Sequence, residues 1–206
     1  MSYTLYGRAG SGSLAVQVAL EEIGVAHELI WVGREPGEIE NYRKVNPTGK
    51  VPALVLPDGT LMFESAAMLI HLAQTHPKSR LAPASGTTEF ALFLQWMVFL
   101  SANVYESVLR MYYASRYSIH GEADAAAVRQ QGIVDFEAHL AIISRSLKPY
   151  VLGRDYSIAD IYLYMLAAWY VGERSELFAS LPSLGAHAKL IQARPLVAKV
   201  EAEHAQ

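Results

Sequence analysis

The chain has 206 residues, 52% of them hydrophobic, a net charge of −3 and a pI near 6.2. That length carries one large domain or two small ones with real cores, and the near-neutral balance, with basic residues scattered, gives no general attraction to nucleic acid or anionic lipid. The absence of cysteine excludes disulfides, a cysteine nucleophile and thiolate metal sites.

In chain order, residues 3–6, YTLY, read as a strand. Leu14, Val18, Ala19 and Ile23 then recur at helical spacing, and Gly24 stands where a helix-terminating glycine belongs. HELIWV, 27–32, is a second strand, and EIENYRKV, 38–45, a short polar helix or irregular segment. Residues 51–56 and 61–63 flank Pro57-Asp58-Gly59-Thr60, a tight-turn signal, and so form an antiparallel hairpin. A helix follows over 65–75. The stretch HPKSRLAPASGTT is rich in Pro, Ser, Gly and Thr and reads as a linker. Beyond it no strand is evident, and helices are expected near 89–117, 123–147, 157–173, 183–193 and 195–204. Pro182 and Pro195 suit helix starts, where a missing N–H costs nothing. The expected organisation is an α/β domain over 1–76, a linker over 77–88 and an all-helical domain over 89–206.

The seven histidines show no HExxH-type spacing, so no metal is proposed. The first residues lack the apolar run of a signal peptide. No uncharged apolar stretch reaches ~18 residues, so no membrane span is expected. The bland reading is a cytoplasmic globular protein.

Three local signals carry chemistry. Gly10-Ser11-Gly12-Ser13-Leu14-Ala15 follows a strand and opens a helix. It formally matches a dinucleotide fingerprint, with Glu35 roughly 20 residues on, but the following hairpin and helices leave too little parallel sheet. A plain turn with Ser13 as N-cap, or a helix N-terminus offering a hydroxyl and N–H groups to an anion, remain. Val51-Pro52 is either an ordinary trans proline at a strand start or a cis bond that leaves the Val51 main chain facing outward to pair with an extended peptide. Glu64-Ser65 sits at a strand–helix junction. Ser65 caps the helix, holds an amino-acid carboxylate while Glu64 takes its ammonium, or does both.

Together, NPTGKVPALVLPDGTLMFES followed by AAMLIHLA, and SIAD at 157–160, resemble the glutathione transferase family. The resemblance covers nearly the whole chain. It implies a thioredoxin-like N-terminal domain, an all-α C-terminal domain, a homodimer, and glutathione as co-substrate added to small, largely hydrophobic electrophiles. It implies that the Val51 main chain pairs with the cysteinyl moiety, that Pro52 is the cis-proline, and that Glu64 and Ser65 clamp the γ-glutamyl end, with Lys50 near the glycyl carboxylate. Ser157 and Asp160 match the family's helix-capping pair. Around GSLAVQVALEE the chain is similar to bacterial beta-class members, but Gly12 stands where they carry cysteine. Ser11, which aligns with the serine of theta-like classes, is the first candidate to stabilise the thiolate, followed by Tyr6 and Ser13; main-chain N–H groups, or a group from the helical domain, are the remaining options. The resemblance places the acceptor pocket between the domains, with Tyr105, Arg110, Met111, Tyr112 and Tyr113 as candidate lining residues and Arg110 either guiding an anionic substrate or pairing with Glu106. A glutathione transferase-like non-catalytic binding or regulatory protein, or a glutathione-dependent isomerase, dehalogenase or peroxidase, are the alternative readings.

Overall fold

Four short strands form one mixed sheet in the order β2-β1-β3-β4. They are β1 (Tyr3–Gly7), β2 (His27–Trp31), β3 (Ala53–Val55) and β4 (Leu61–Phe63). The βα unit makes β1 and β2 parallel, while the hairpin makes β3 antiparallel to both β1 and β4. The computed structural model describes residues 2–205, in two units: Met1–Ala82 with Gln192–Gln206, and Pro83–Ile191.

In the first unit, helix α1 (Ser13–Ile23) buries Ala15, Val16, Val18, Ala19 and Leu20, the apolar set its spacing announces. Gly24, at φ 74°, ends it in the left-handed conformation, its N–H shared between the Leu20 and Glu21 carbonyls. Helix α2 (Pro36–Arg43) begins with a capping box between Glu35 and Glu38. Helix α3 (Ser65–Thr75) has the expected bounds. The hairpin strand is shorter than its sequence suggests. Residues 51 and 52 lie outside the ladder, which starts at Ala53, because Pro52 has no N–H to contribute.

The last helix, α10 (Pro195–His204), belongs to this unit and not to the helical domain that the sequence reading assigned it to. The reason is a polar seam on α1. Arg194 makes a bidentate pair with Glu22 at 2.8 and 2.9 Å, and Lys199 pairs with Glu21 at 2.7 Å. Buried Gln17 donates to Glu203 and accepts from His204. Spacing cannot reveal such pairs across some 170 residues of chain.

The second unit contains α4 (Thr88–Phe99), a π-helical turn at Leu100–Val104, α5 (Tyr105–Tyr112), α6 (Ala125–Ser144), α7 (Ile158–Ala168), α8 (Arg174–Ser180) and α9 (Pro182–Gln192). α8 is an addition to the expected set. The run Thr88–Tyr112 is long and apolar enough, by composition, to cross a bilayer, against the expectation that no segment is. Phe93, Met97, Leu100, Val104, Val108 and Met111 bury one face of it in this unit. At Gly132 α6 lies against α5: a Cβ there would stand 3.1 Å from the Met111 nitrogen and 3.2 Å from the Ser107 carbonyl. α7 is buried on all sides. Its start is held by the Ser157–Asp160 capping box that the sequence announces. The Asp160 carboxylate accepts from the Ser157 N–H at 2.8 Å, the Val151 N–H at 2.7 Å and His187 Nε2 at 3.0 Å.

Candidate functional site

The register gathers the three chemical signals at one end of the sheet. Tyr6 pairs with Ala53, and Ala53 with Phe63. One step beyond that row β1 passes into the 8–13 loop, β3 is entered from Val51-Pro52, and β4 runs into Glu64-Ser65. β2, parallel to β1, ends there too. The three signals therefore lie within a few strand spacings of ~4.8 Å of one another.

The 8–13 loop turns at Gly10, at φ 66°. Gly12, not Ser13, is the N-cap of α1, and Ser13 is the first helical residue, fully buried. Gly7 permits this, since a Cβ there would lie 2.8 Å from Ser13 Oγ. The Ser11 hydroxyl donates to the Arg8 carbonyl at 2.7 Å and accepts from the Ser13 N–H at 3.3 Å. Ser13 Oγ accepts from the Arg8 N–H at 3.1 Å and lies 2.9 Å from Ser11 Oγ. The two serines therefore tie the loop to itself. The Tyr6 ring packs against Tyr42, centroids 5.7 Å apart, in the small core that includes Val32 and Val51.

The Val51–Pro52 peptide bond is cis. Among the described residues none bonds the Val51 main-chain N–H or C=O, so that edge is open. Two donors fix it from behind. Tyr42 Oη donates to the Lys50 carbonyl at 2.9 Å and Asn46 Nδ2 donates to the same oxygen at 2.7 Å. Burial pushes the Tyr42 pKa above the usual tyrosine value, against the lowering effects of the Asn46 bond and Arg8, so the phenol keeps the proton it donates. Fully buried Asn46 also accepts from the Thr48 N–H and hydroxyl at 3.1 and 2.9 Å. Sequence reasoning passed over Tyr42 and Asn46. The signal was Asn46-Pro47-Thr48-Gly49, an Asx-turn sequence whose side chain organises the backbone two residues on. The Lys50 side chain is exposed.

Glu64, not Ser65, is the N-cap of α3, with φ 72° and ψ 104°. A non-glycine residue at positive φ is strained and is held there only by its surroundings. Its side chain is exposed, while Ser65, the first helical residue, is buried. An exposed carboxylate thus stands beside a helix N-terminus, one group suited to an ammonium and the other to a carboxylate.

The aromatic candidates lie in the second unit. Tyr105 meets Trp169 edge-on at 5.6 Å. Tyr112 and Tyr113 are 50% and 42% exposed, Tyr113 lying under the Arg116 guanidinium at 4.3 Å. Met111 is fully buried, which makes it a core residue and removes it from the lining set. Arg110 pairs with Asp135 at 3.0 Å, whereas Glu106 accepts from Tyr117 Oη, so the expected i,i+4 pair is absent. Among the described residues no group of three or more His, Asp or Glu is placed to hold a metal ion.

Residues 12–75 match the family described as "Glutathione S-transferase, N-terminal domain". The chain is 29% identical over 171 residues to glutathione S-transferase GstA of Escherichia coli O157:H7, covering 80% of this chain and 81% of that protein. Among solved structures, it superposes on a Sulfitobacter glutathione transferase homologue with bound glutathione at a TM-score of 0.87, with 28% identity and 98% of each chain covered. A sphingomonad glutathione S-transferase complexed with glutathione gives 0.81, 29% and again 98% of each chain.

Proposed function

Because the chain belongs to the glutathione S-transferase family, we propose that it binds glutathione across the open end of its sheet and transfers the glutathionyl group, through its sulfur, to an electrophile. The observation that carries this is the alignment of three elements on adjoining strands: the α1 loop, the open Val51 edge and Glu64-Ser65. From β1 to β4 is two strand spacings, ~10 Å, about the reach of three extended residues. The γ-glutamyl ammonium goes to Glu64 and its carboxylate to Ser65 and the first N–H groups of α3. The cysteinyl main chain pairs with Val51 as an added strand. Lys50 faces the glycyl carboxylate.

The chemistry is that of a thiol made into a thiolate. At a pKa of ~8.5 a free thiol is only a few per cent ionised at neutral pH. Lowering it by about two units takes ~2.7 kcal/mol of preferential anion stabilisation. One hydrogen bond to the sulfur supplies ~1.5–3 kcal/mol, and the α1 N-terminus adds ~0.3–1. Ser11 is the first candidate for that bond. The thiol proton passes to solvent, the sulfur pair forms the C–S bond, and the leaving group departs with the bonding pair. Calorimetric titration of the wild type with glutathione tests the reading; no binding at millimolar concentration overturns it.

One observation favours a second reading, glutathione binding without transfer. Both serine hydroxyls are engaged with the loop's own main chain and with each other. A bound thiol that titrates like free glutathione would select this reading. We also propose a homodimer; sedimentation at micromolar concentration showing only a species of the 22.7 kDa chain mass would exclude it.

A further inference from the structure

A groove of about 540 Å³ lies wholly within the second unit, between α6 and α8. That volume is in the range of small-molecule sites. Val134, Ala138 and Ala141 wall it at the spacing of one α6 face, and Leu177 and Leu181 wall it from the α8 side. Two carboxylates share the lining, Glu137 on α6 and Glu176 on α8. Both are exposed, and no described cation lies within ion-pair distance of either. Arg129 and Arg174, the arginines of the two helices, and Arg145, which follows α6, are outside the lining. The Ser180 hydroxyl is engaged by the Leu177 carbonyl at 2.8 Å. Tyr170 completes the wall, its hydroxyl donating to Glu137. Its ring is held by stacking on buried Phe136, centroids 5.9 Å apart, and by Gly172, where a Cβ would stand 2.7 Å from it. The Glu137 bond, burial and the charges of Glu137 and Glu176 push the Tyr170 pKa up to about 12, so both carboxylates act at one hydroxyl.

The lining decides what the groove takes. Its floor is apolar, its two charges are negative, and it holds no positive one. A cation with an apolar body satisfies both parts, whereas an anion is repelled and a neutral solute leaves the carboxylates unanswered. We propose that the groove binds a small organic ammonium compound, an alkyl or arylalkyl amine. Its apolar body lies on Val134, Ala138, Ala141 and Leu181, and its cation lies between Glu137 and Glu176. Tyr170 holds the Glu137 carboxylate in place. A second copy of the chain does not fit this role: a two-fold contact through the same face would bring four carboxylates together with no cation among them. The inference goes beyond the glutathione reading and uses none of its residues.

The probe is 4-phenylbutylammonium, titrated against the full chain by saturation-transfer NMR, with 4-phenylbutan-1-ol as its neutral twin. The ammonium is expected to bind about five- to tenfold tighter than the alcohol at low ionic strength, and the preference shrinks at ~0.5 M salt. Glu176→Gln cuts the preference about two- to threefold. Glu137→Gln combined with Glu176→Gln abolishes it and leaves the alcohol's affinity unchanged. Ala138→Trp fills the groove from an exposed helix position and removes binding of both ligands, with the unfolding midpoint and the sedimentation of the protein unaltered. Equal affinities for the two ligands, a preference that survives the double substitution, or binding that survives Ala138→Trp overturns the proposal. So does an Ala138→Trp protein with a changed oligomeric state, which makes the groove a contact between copies. Glutathione is absent from every titration, so this proposal and the glutathione reading fail separately.

Discussion

Ser11 Oγ donates to the Arg8 carbonyl at 2.7 Å, which places its one proton on the protein's own backbone. To stabilise a thiolate that proton must turn toward the sulfur, and the Arg8 carbonyl then keeps Ser13 Oγ, 3.2 Å away, as a donor. The exchange of a neutral acceptor for a charged one favours the turn, since bonds to ionised groups are the stronger. Ser11→Ala is expected to retain glutathione binding, raise the bound thiol's pKa by roughly one to two units and slow turnover at neutral pH. The thiolate's ultraviolet absorbance, titrated against pH, reads this directly. An unchanged titration passes the role to Ser13, Tyr6 or the main chain around Gly12, which Ser13→Ala and Tyr6→Phe then separate.

Glu64 joins the proposed ammonium site to a strained backbone. Glu64→Ala and Ser65→Ala are expected to weaken glutathione roughly ten- to a hundredfold, the value of ~1.5–3 kcal/mol per charge-assisted bond. Glu64→Gly is expected to do the same while stabilising the fold by about 1 kcal/mol, because glycine accepts φ 72° without penalty. Parallel thermal unfolding and calorimetry check the pair; a Gly variant with a lower midpoint contradicts the strain argument.

Asn46 holds the peptide edge from behind. Asn46→Ala removes one of the two donors to the Lys50 carbonyl and the acceptor shared by two Thr48 donors, at ~0.5–1.5 kcal/mol for each bond. Lower stability together with weaker glutathione binding is expected. Tyr42→Phe, which removes one of two donors to the Lys50 carbonyl, should show a smaller effect of the same kind. Unaltered affinity in Asn46→Ala would mean the edge does not depend on this support.

The pH response of the first unit should run through His204. Burial lowers its pKa, with Glu203 opposing, and its Nδ1 is buried without a partner. A depressed folded pKa means the stabilisation is complete above the unfolded value of ~6.5 and is lost as pH falls through the folded one. Wild-type stability is therefore expected to fall on acidification below about pH 6.5, more steeply than in His204→Gln, with Trp31 emission as the local probe. His139 in the second unit, also lowered by burial, is common to both proteins and cancels in the comparison. Equal slopes for the two proteins exclude His204 as the source.

Asp160 accepts from the Val151 and Ser157 N–H groups, the Ser157 hydroxyl and His187 with no exposure at all. Asp160→Ala strands all four donors and is expected to cost more than ~4 kcal/mol. Ser157→Ala should cost ~0.5–2. Chemical denaturation of both orders them; equal midpoints refute the network as described.

Local sequence determined the βαβ–ββα order, the α3 bounds, the Ser157–Asp160 box and the residues around which the proposed γ-glutamyl peptide site is built. Those are readings of periodicity, turn chemistry and capping, all set by neighbours within a few positions. Tertiary structure decided the rest. It started β3 at Ala53, moved both N-caps to Gly12 and Glu64, buried Met111, and gave Arg110 to Asp135. It assigned α10 to the first unit through Arg194–Glu22 and Lys199–Glu21, and so set Glu203 beside Trp31 and Arg34 in one cavity. Each of these depends on which side chains meet across long stretches of chain. Packing and burial decide that, and no local pattern encodes it.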